Sequence, residues 1–488
     1  MQKVFLVSVM VLCMSACAGN FPFKNDSGLD ADSIFKFSEF PLCSDFSQTR
    51  TCLESDKPRK IAVFFDGTGN TEESRTNIAK LHNKVTLSDK PFVHALYVQG
   101  VGVGTDNRLT GGVFGDGLDD RVKLAYRFLA KRYNAERGDK IYLFGFSRGA
   151  YSARVLAGLI RTADFPDFSG LQDDEAQAAL VDDIFTYYKQ PKNRDSIKDI
   201  PGYRPKSTDV RIAFMGLFDT VSALSYRPKS ERELDKLSDE YVDQICNIDK
   251  VFHAMSIDDN RGTTFSPMPM SLKSIASTCD EVGGLSGSAL DSKIAELIDE
   301  RLLEVWFSGA HSDVGGGYSD NDHLSAVPLN WMMRQISKIE AAADLLPEKP
   351  FVYEDLYAPS HIGEEALANG VIYINKNREL AYYPDQLHEK GRPLTIHSSV
   401  IARRAVIPRT CKEYDFSQQV NADLESEDRC YKSNQTPNNI RGFGKCFDKV
   451  ALDEGSLRDN PLLADFTLEF KCAGDGDLII INESGRYQ

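Results

Sequence analysis

Three short stretches put groups capable of acyl transfer at the ends of apolar runs. In "YLFGFSRGAYSARVLAGLI" (142–160) Ser147 stands between Gly145 and Gly149. In "MGLFDTV" (215–221) Asp219 follows one apolar run, and in "VWFSGAHSDVGGG" (305–317) His311 follows another and precedes three glycines. A serine hydroxyl is a weak nucleophile until a base takes its proton, and imidazole is the usual base near neutral pH. A carboxylate then holds the imidazole tautomer and stabilises the imidazolium. Serine on a G-x-S-x-G bend, then aspartate, then histidine, is a chain order in which such triads occur.

Each residue has a plainer reading. Ser147 could be a small residue in a tight turn, but glycines on both sides, where side chains would collide, point to a strained and exposed hydroxyl. Asp219 could cap a helix starting at Thr220, and Asp313 and Asp320 are its rivals for the acid. His397, in "LTIHSSV", also follows an apolar run. His311 is preferred because its glycines let a substrate approach closely. His82, His94, His253, His323, His361 and His388 lack such context and read as surface or packing residues.

A tetrahedral oxyanion needs N–H donors. The residue after the nucleophile, Arg148, is one; Gly67 or Thr68 in the early loop "FDGTGN" (65–70) is the other. That loop lacks the spacing and lysine of a phosphate-binding P-loop, which argues against nucleotide binding. Asp66 is expected to organise the loop by accepting backbone N–H bonds. The chemistry needs no metal or organic cofactor, and no C-x-x-C pair favours zinc.

The elements that must position these groups read as alternating strands and helices. Strands are predicted at 60–66, 94–98, 140–146, 209–218 and 304–307. A glycine-rich loop (100–117) leads into a helix marked by Leu118, Val122, Ala125, Tyr126 and Leu129, and another helix follows from Ala150. This order predicts a mostly parallel sheet with helices on both faces. Residues 225–300 are charged and helix-prone and read as an insertion or lid. Residues 406–488 read as a small strand-rich, cysteine-containing tail.

The chain has 488 residues and a formal charge of −15. That balance opposes nucleic-acid binding, which leaves a basic footprint, and gives no general attraction to anionic lipid surfaces. Membrane contact therefore calls for an anchor. Val4 to Met14 is an apolar segment too short to span a bilayer, and "MSAC" (14–17) is similar to a bacterial lipobox. The expectation is a signal peptide over 1–17, a lipidated Cys17, a tether over 18–56, a catalytic domain over 57–405 and the tail over 406–488. The protein would then sit in the bacterial envelope, on the outer membrane, facing the periplasm or the cell surface. In that oxidising setting Cys43, Cys52, Cys246, Cys279, Cys411, Cys430, Cys446 and Cys472 are candidates for disulfides.

Together, "IAVFFDGTGN", "GVGTD", "GGVFGDGLDDRV", "IYLFGFSRGAYSAR", "GLFDTVSAL" and "VWFSGAHSDVGGGY" resemble the catalytic domain of the first subfamily of type VI secretion phospholipase effectors. With "IHSSVIARR" as a late motif the resemblance runs from about Lys60 to Arg404. It implies an α/β-hydrolase fold and a triad of Ser147, Asp219 and His311 cleaving fatty-acyl esters of phospholipids. The export signal points to a resident envelope lipid hydrolase rather than a delivered toxin. The alternatives are an esterase for another acyl ester, or a non-catalytic binding or immunity lipoprotein on a hydrolase scaffold.

Overall fold

The structure is a computed structural model. It describes residues 57–342 apart from 87–91, 104–113, 172, 223–232, 260, 262–264 and 320–321, together with scattered positions from 345 to 400 and the strand segments 35–39, 450–452, 467–472 and 478–484. Nine strands form one sheet: β1 (Phe35–Glu39), β2 (Lys60–Phe65), β3 (Val93–Val98), β4 (Lys140–Phe146), β5 (Ile212–Phe218), β6 (Val251–Ser256), β7 (Leu302–Phe307), β8 (Leu394–Ile396) and β9 (Val450–Leu452). Their spatial order is β1-β3-β2-β4-β5-β6-β7-β8-β9. Neighbours run parallel except β1, which lies antiparallel on β3.

The central strands read as continuous apolar runs because both faces are covered. Along β2 the side chains alternate between two cores. Ile61, Val63 and Phe65 join the layer holding helices α2 (Phe114–Arg132), α3 (Arg148–Ala163), α4 (Asp174–Lys189) and α5 (Gly287–Arg301). Ala62 and Phe64 join the opposite layer, with α1 (Asn77–Thr86) and α7 (Ala326–Ser337). Between these last two in sequence lies the short α6 (His311–Gly315). Burying each large apolar side chain contributes about 1.5–3 kcal/mol, so the two layers hold the sheet between them.

From β2 the chain moves outward to β3, whereas β4 lies on the other side of β2 and leads on to β5. The connections leaving β2 and β4 therefore part, opening a crevice beyond the carboxyl ends of the strands, where ligands collect in open α/β sheets.

One expectation needs correcting. Residues 225–300 are not only a charged insertion: they supply β6, a fully buried strand between β5 and β7. His253 interrupts its apolar run "VFHAMS" and hides the strand from a hydropathy reading. In the same stretch Cys246 and Cys279 form a disulfide across a separation of 33 residues. Closing a loop of that length removes roughly 3–4 kcal/mol of entropy from the unfolded chain. Cys17, Cys43, Cys52, Cys411, Cys430 and Cys446 lie outside the described residues. In the tail, β9 pairs with β8, and β10 (Thr467–Cys472) and β11 (Leu478–Ser484) pair antiparallel.

Candidate active site

β4 ends at Phe146 and α3 begins at Arg148, so Ser147 makes the whole turn between them. Its backbone sits at φ 59°, ψ −125°, a conformation that L-residues avoid and that costs of order 1–3 kcal/mol. The flanking glycines make this bend feasible. A Cβ on Gly149 would lie 2.2 Å from the Phe65 carbonyl oxygen, and one on Gly145 would lie 2.5 Å from the Ala150 Cα. The first turn of α3 thus rests directly on the ends of β2 and β4, and the serine, expected to be exposed, is buried there.

The sheet ladder runs one rung past the strands at this point. Ser147 donates its N–H to the Phe218 carbonyl at 3.0 Å, and Asp219 donates to the Ala254 carbonyl at 2.7 Å. Asp219 also has a positive φ, 34°. His311 opens α6, just beyond β7. The three side chains meet: the Ser147 hydroxyl lies 2.7 Å from His311 Nε2, and His311 Nδ1 lies 2.6 Å from Asp219 Oδ2. The Phe146 ring tilts against the imidazole at 4.7 Å between centroids, and Phe265 meets it edge-on at 5.1 Å. All three polar residues are buried, Asp219 completely.

Two oxygens of Asp219 receive four donors. Oδ1 accepts the Ser256 N–H at 2.9 Å and Arg378 Nη1 at 2.8 Å; Oδ2 accepts His311 Nδ1 and, at 3.0 Å, Arg378 Nη2. Burial works against the carboxylate charge, but Arg378 and His311 outweigh it and hold the pKa at about 2. Burial lowers the pKa of His311, against the pull of Asp219, so the ring rests neutral at physiological pH, as a general base must. Next to it, Asp259 Oδ2 accepts the His311 backbone N–H at 3.1 Å and pairs with Arg261 Nη2 at 2.6 Å.

The rivals lie elsewhere. Asp313 faces away from Ser147: it accepts the Ala310 N–H at 2.8 Å and bonds His361 Nδ1 at 2.6 Å, which ties down the start of α6. His397 is buried against Phe307, its Nδ1 on the Ser399 hydroxyl at 2.8 Å, and burial takes its pKa down to about 3. Asp320 and His388 lie outside the described residues. Of the histidines read as packing, His82 lies edge-on to Phe64 and tilted against Tyr97, and His323 meets Tyr353 edge-on. His253 and His361 instead make specific bonds around the site. Arg378, Asp259 and Arg261 are the residues at the triad that sequence reasoning missed, together with His361, which holds Asp313.

In the early loop Asp66 does what was expected and more. Its Oδ1 accepts the Gly67 N–H at 2.7 Å, and its Oδ2 accepts the hydroxyls of Thr76 and Tyr97 at 2.6 and 2.5 Å. This corrects the Gly67 expectation: its amide is committed to a buried carboxylate that needs donors, so it does not face an oxyanion. The Gly69 amide goes to the Val101 carbonyl and that of Asn70 to the Gly67 carbonyl, at 2.8 and 2.9 Å. Among the described residues the Thr68 hydroxyl, itself buried, has no hydrogen-bond partner. Arg148, the other expected donor, is the first residue of α3, where the amide lies at the positive end of the helix.

The chain is similar to several known proteins. An uncharacterized protein of Saccharomyces cerevisiae, YEL023C, is 32% identical over 289 residues, covering 53% of this chain and 41% of that one. An uncharacterized protein from Pseudomonas aeruginosa of known structure is 18% identical, with 65% of this chain and 53% of that chain covered and a TM-score of 0.35. The Tle1 effector bound to the VgrG spike from the type VI secretion system is 18% identical, with 54% and 51% covered and a TM-score of 0.28. The chain thus spans about half the length of these relatives or less. Residues 59–335 match the Tle1-like phospholipase effector catalytic domain of the type VI secretion system. That match takes in the elbow, the Asp219 turn and the His311 helix, and the chain belongs to this family.

Proposed function

We propose that the protein hydrolyses fatty-acyl ester bonds of phospholipids through an acyl-enzyme on Ser147. The observation that carries this reading is the relay of 2.7 and 2.6 Å from the Ser147 hydroxyl through His311 to Asp219, mounted on a strained elbow. His311 Nε2 takes the hydroxyl proton as Ser147 Oγ attacks the ester carbonyl. The resulting oxyanion is met by the Arg148 amide and by Thr68. His311 then gives its proton to the departing lysolipid oxygen, and a water attacks the acyl-enzyme by the same route in reverse, releasing the fatty acid. Asp219 stays ionised throughout and stabilises the imidazolium.

We also propose that Cys17 is lipidated and tethers the enzyme to the outer membrane, which raises the local concentration of lipid substrate. Labelling with a fatty-acid analogue, lost in Cys17→Ser, tests the anchor.

The test of the chemistry compares the protein with Ser147→Ala on a fluorogenic phospholipid and on a short-chain nitrophenyl ester. Serine-dependent release of fatty acid from the phospholipid is the expected result. Turnover confined to the short ester would move the substrate class to other acyl esters. No serine-dependent turnover on either would leave a binding protein on a hydrolase scaffold.

A further inference from the structure

Arg378 lies outside the matched domain, 159 residues from Asp219 in sequence, yet it is 1% exposed and closes on that carboxylate with both terminal nitrogens. The pairing is bidentate, one nitrogen to each oxygen, which fixes orientation as well as charge. The guanidinium is itself held: Nη1 donates to the Ser256 carbonyl at 2.6 Å and Nη2 to the Phe265 carbonyl at 2.8 Å. One residue therefore joins the acid to the end of β6 and to the residue whose ring walls the imidazole.

We propose that Arg378 is the positioning residue of the catalytic centre, holding Asp219 ionised and aligned so that it can orient His311. This role rests on the triad reading above. A fully buried carboxylate with only His311 and the Ser256 amide as donors would rise in pKa and compete with the imidazole for the proton that the mechanism needs. With Arg378 in place the buried charges balance. Asp219 and Asp259 are matched by Arg378 and Arg261, and His311 is neutral at rest. The imidazole then acquires charge only in the transition state, against an Asp219 carboxylate already fixed in place. A second bond from beyond the matched domain serves the same end, since His361 anchors Asp313, which caps the helix carrying His311. The catalytic centre thus depends on chain that follows the matched domain.

The test uses Arg378→Lys and Arg378→Met in the full chain, with Ser147→Ala alongside. Active sites are counted with a fluorophosphonate, so that turnover is expressed per competent serine and misfolded protein drops out. Both Arg378 variants are expected to lose about 10- to 100-fold in kcat with KM little changed, as misplacing a catalytic group by about an ångström does. The pH profile separates positioning from mere folding. The groups facing His311 are Ser147, Asp219, Asp259, Arg261 and, through Asp219, Arg378. Removing the positive charge in Arg378→Met leaves the imidazole facing excess negative charge, so the acidic limb of kcat/KM should move up by about one pH unit. Arg378→Lys keeps the charge and should keep the limb. If Arg378→Met does not fold, the kcat loss in Arg378→Lys, at an unmoved limb, carries the test. Wild-type turnover per labelled serine and an unmoved limb in every variant that folds, with Ser147→Ala inactive, would overturn the role of Arg378 alone. Activity surviving in Ser147→Ala would instead remove the triad beneath it.

Discussion

Two buried imidazoles in this molecule keep nearly the same company. His311 has Asp219 on Nδ1 at 2.6 Å and the Ser147 hydroxyl on Nε2 at 2.7 Å. His253 has Glu304 on Nδ1 at 3.0 Å and the Thr220 hydroxyl on Nε2 at 3.0 Å. The surroundings of the two hydroxyls differ. Thr220 is wholly buried, and its own backbone N–H also donates to His253 Nε2, at 3.2 Å. Glu304 is further held by the Met270 N–H and the Ser271 hydroxyl at 2.7 and 2.8 Å. Every side chain of that group is bonded into the fold. Ser147 is buried too, but it sits on a strained turn at the head of a helix, beyond the carboxyl ends of β2 and β4. A carboxylate, an imidazole and a hydroxyl in line do not by themselves make a nucleophile; a substrate must be able to reach the hydroxyl, and donors must wait for the oxyanion.

The sharpest way to break this comparison is to remove each hydroxyl in turn. Ser147→Ala should lower kcat/KM on phospholipid by about 10⁴-fold or more, by analogy with other serine triads. Thr220→Ala should stay within about tenfold of wild type, its loss being one buried hydrogen bond. Equal losses in the two variants would dissolve the distinction.

Exchanging the rings sharpens it. His311→Gln is expected to cost about 10³- to 10⁴-fold in kcat, because the base itself is gone. His253→Gln should instead lower unfolding free energy by about 1–3 kcal/mol, seen as an earlier urea midpoint, with turnover per labelled serine nearly kept. A fluorophosphonate followed by peptide mass spectrometry should place a single adduct on Ser147 and none on Thr220. An adduct on the threonine would show that its burial does not protect it.

The smallest effect is in the pH profile. Only the neutral ring can act as base, and burial sets the pKa of His311 below its ordinary 6.5. The rate should therefore rise with pH through a midpoint below 6.5 and stay level above it, measured on a water-soluble ester. With its pKa near 2, Asp219 adds no further limb within the stable range. A midpoint above 6.5 would mean that the site favours the charged ring.

What could be read from the sequence was whatever leaves a local mark. The bend at Ser147 requires glycines beside it, and the glycines after His311 announce a close approach, so both stand out within a few letters. The strands β2, β4 and β5, covered on both faces, show as unbroken apolar runs. Arg378, in "INKNREL", carries no such mark, because its meaning lies in a partner 159 residues away. His253 hid in two ways: it broke the apolar run of β6 and looked like a stray polar residue. The engagement of Gly67 was equally silent, since which amide Asp66 takes depends on the path of the loop and not on the identity of its residues.

The rung that carries the β4–β5 pairing on to Ser147, and the next that carries β5–β6 on to Asp219, leave no joint between nucleophile and acid. Their separation is set by the roughly 4.8 Å pitch of neighbouring strands rather than by any movable loop. Heat should therefore not part the nucleophile from the acid before the sheet itself melts, and hydrolysis lost at a lower temperature would trace to the contacts that hold His311 and Arg378.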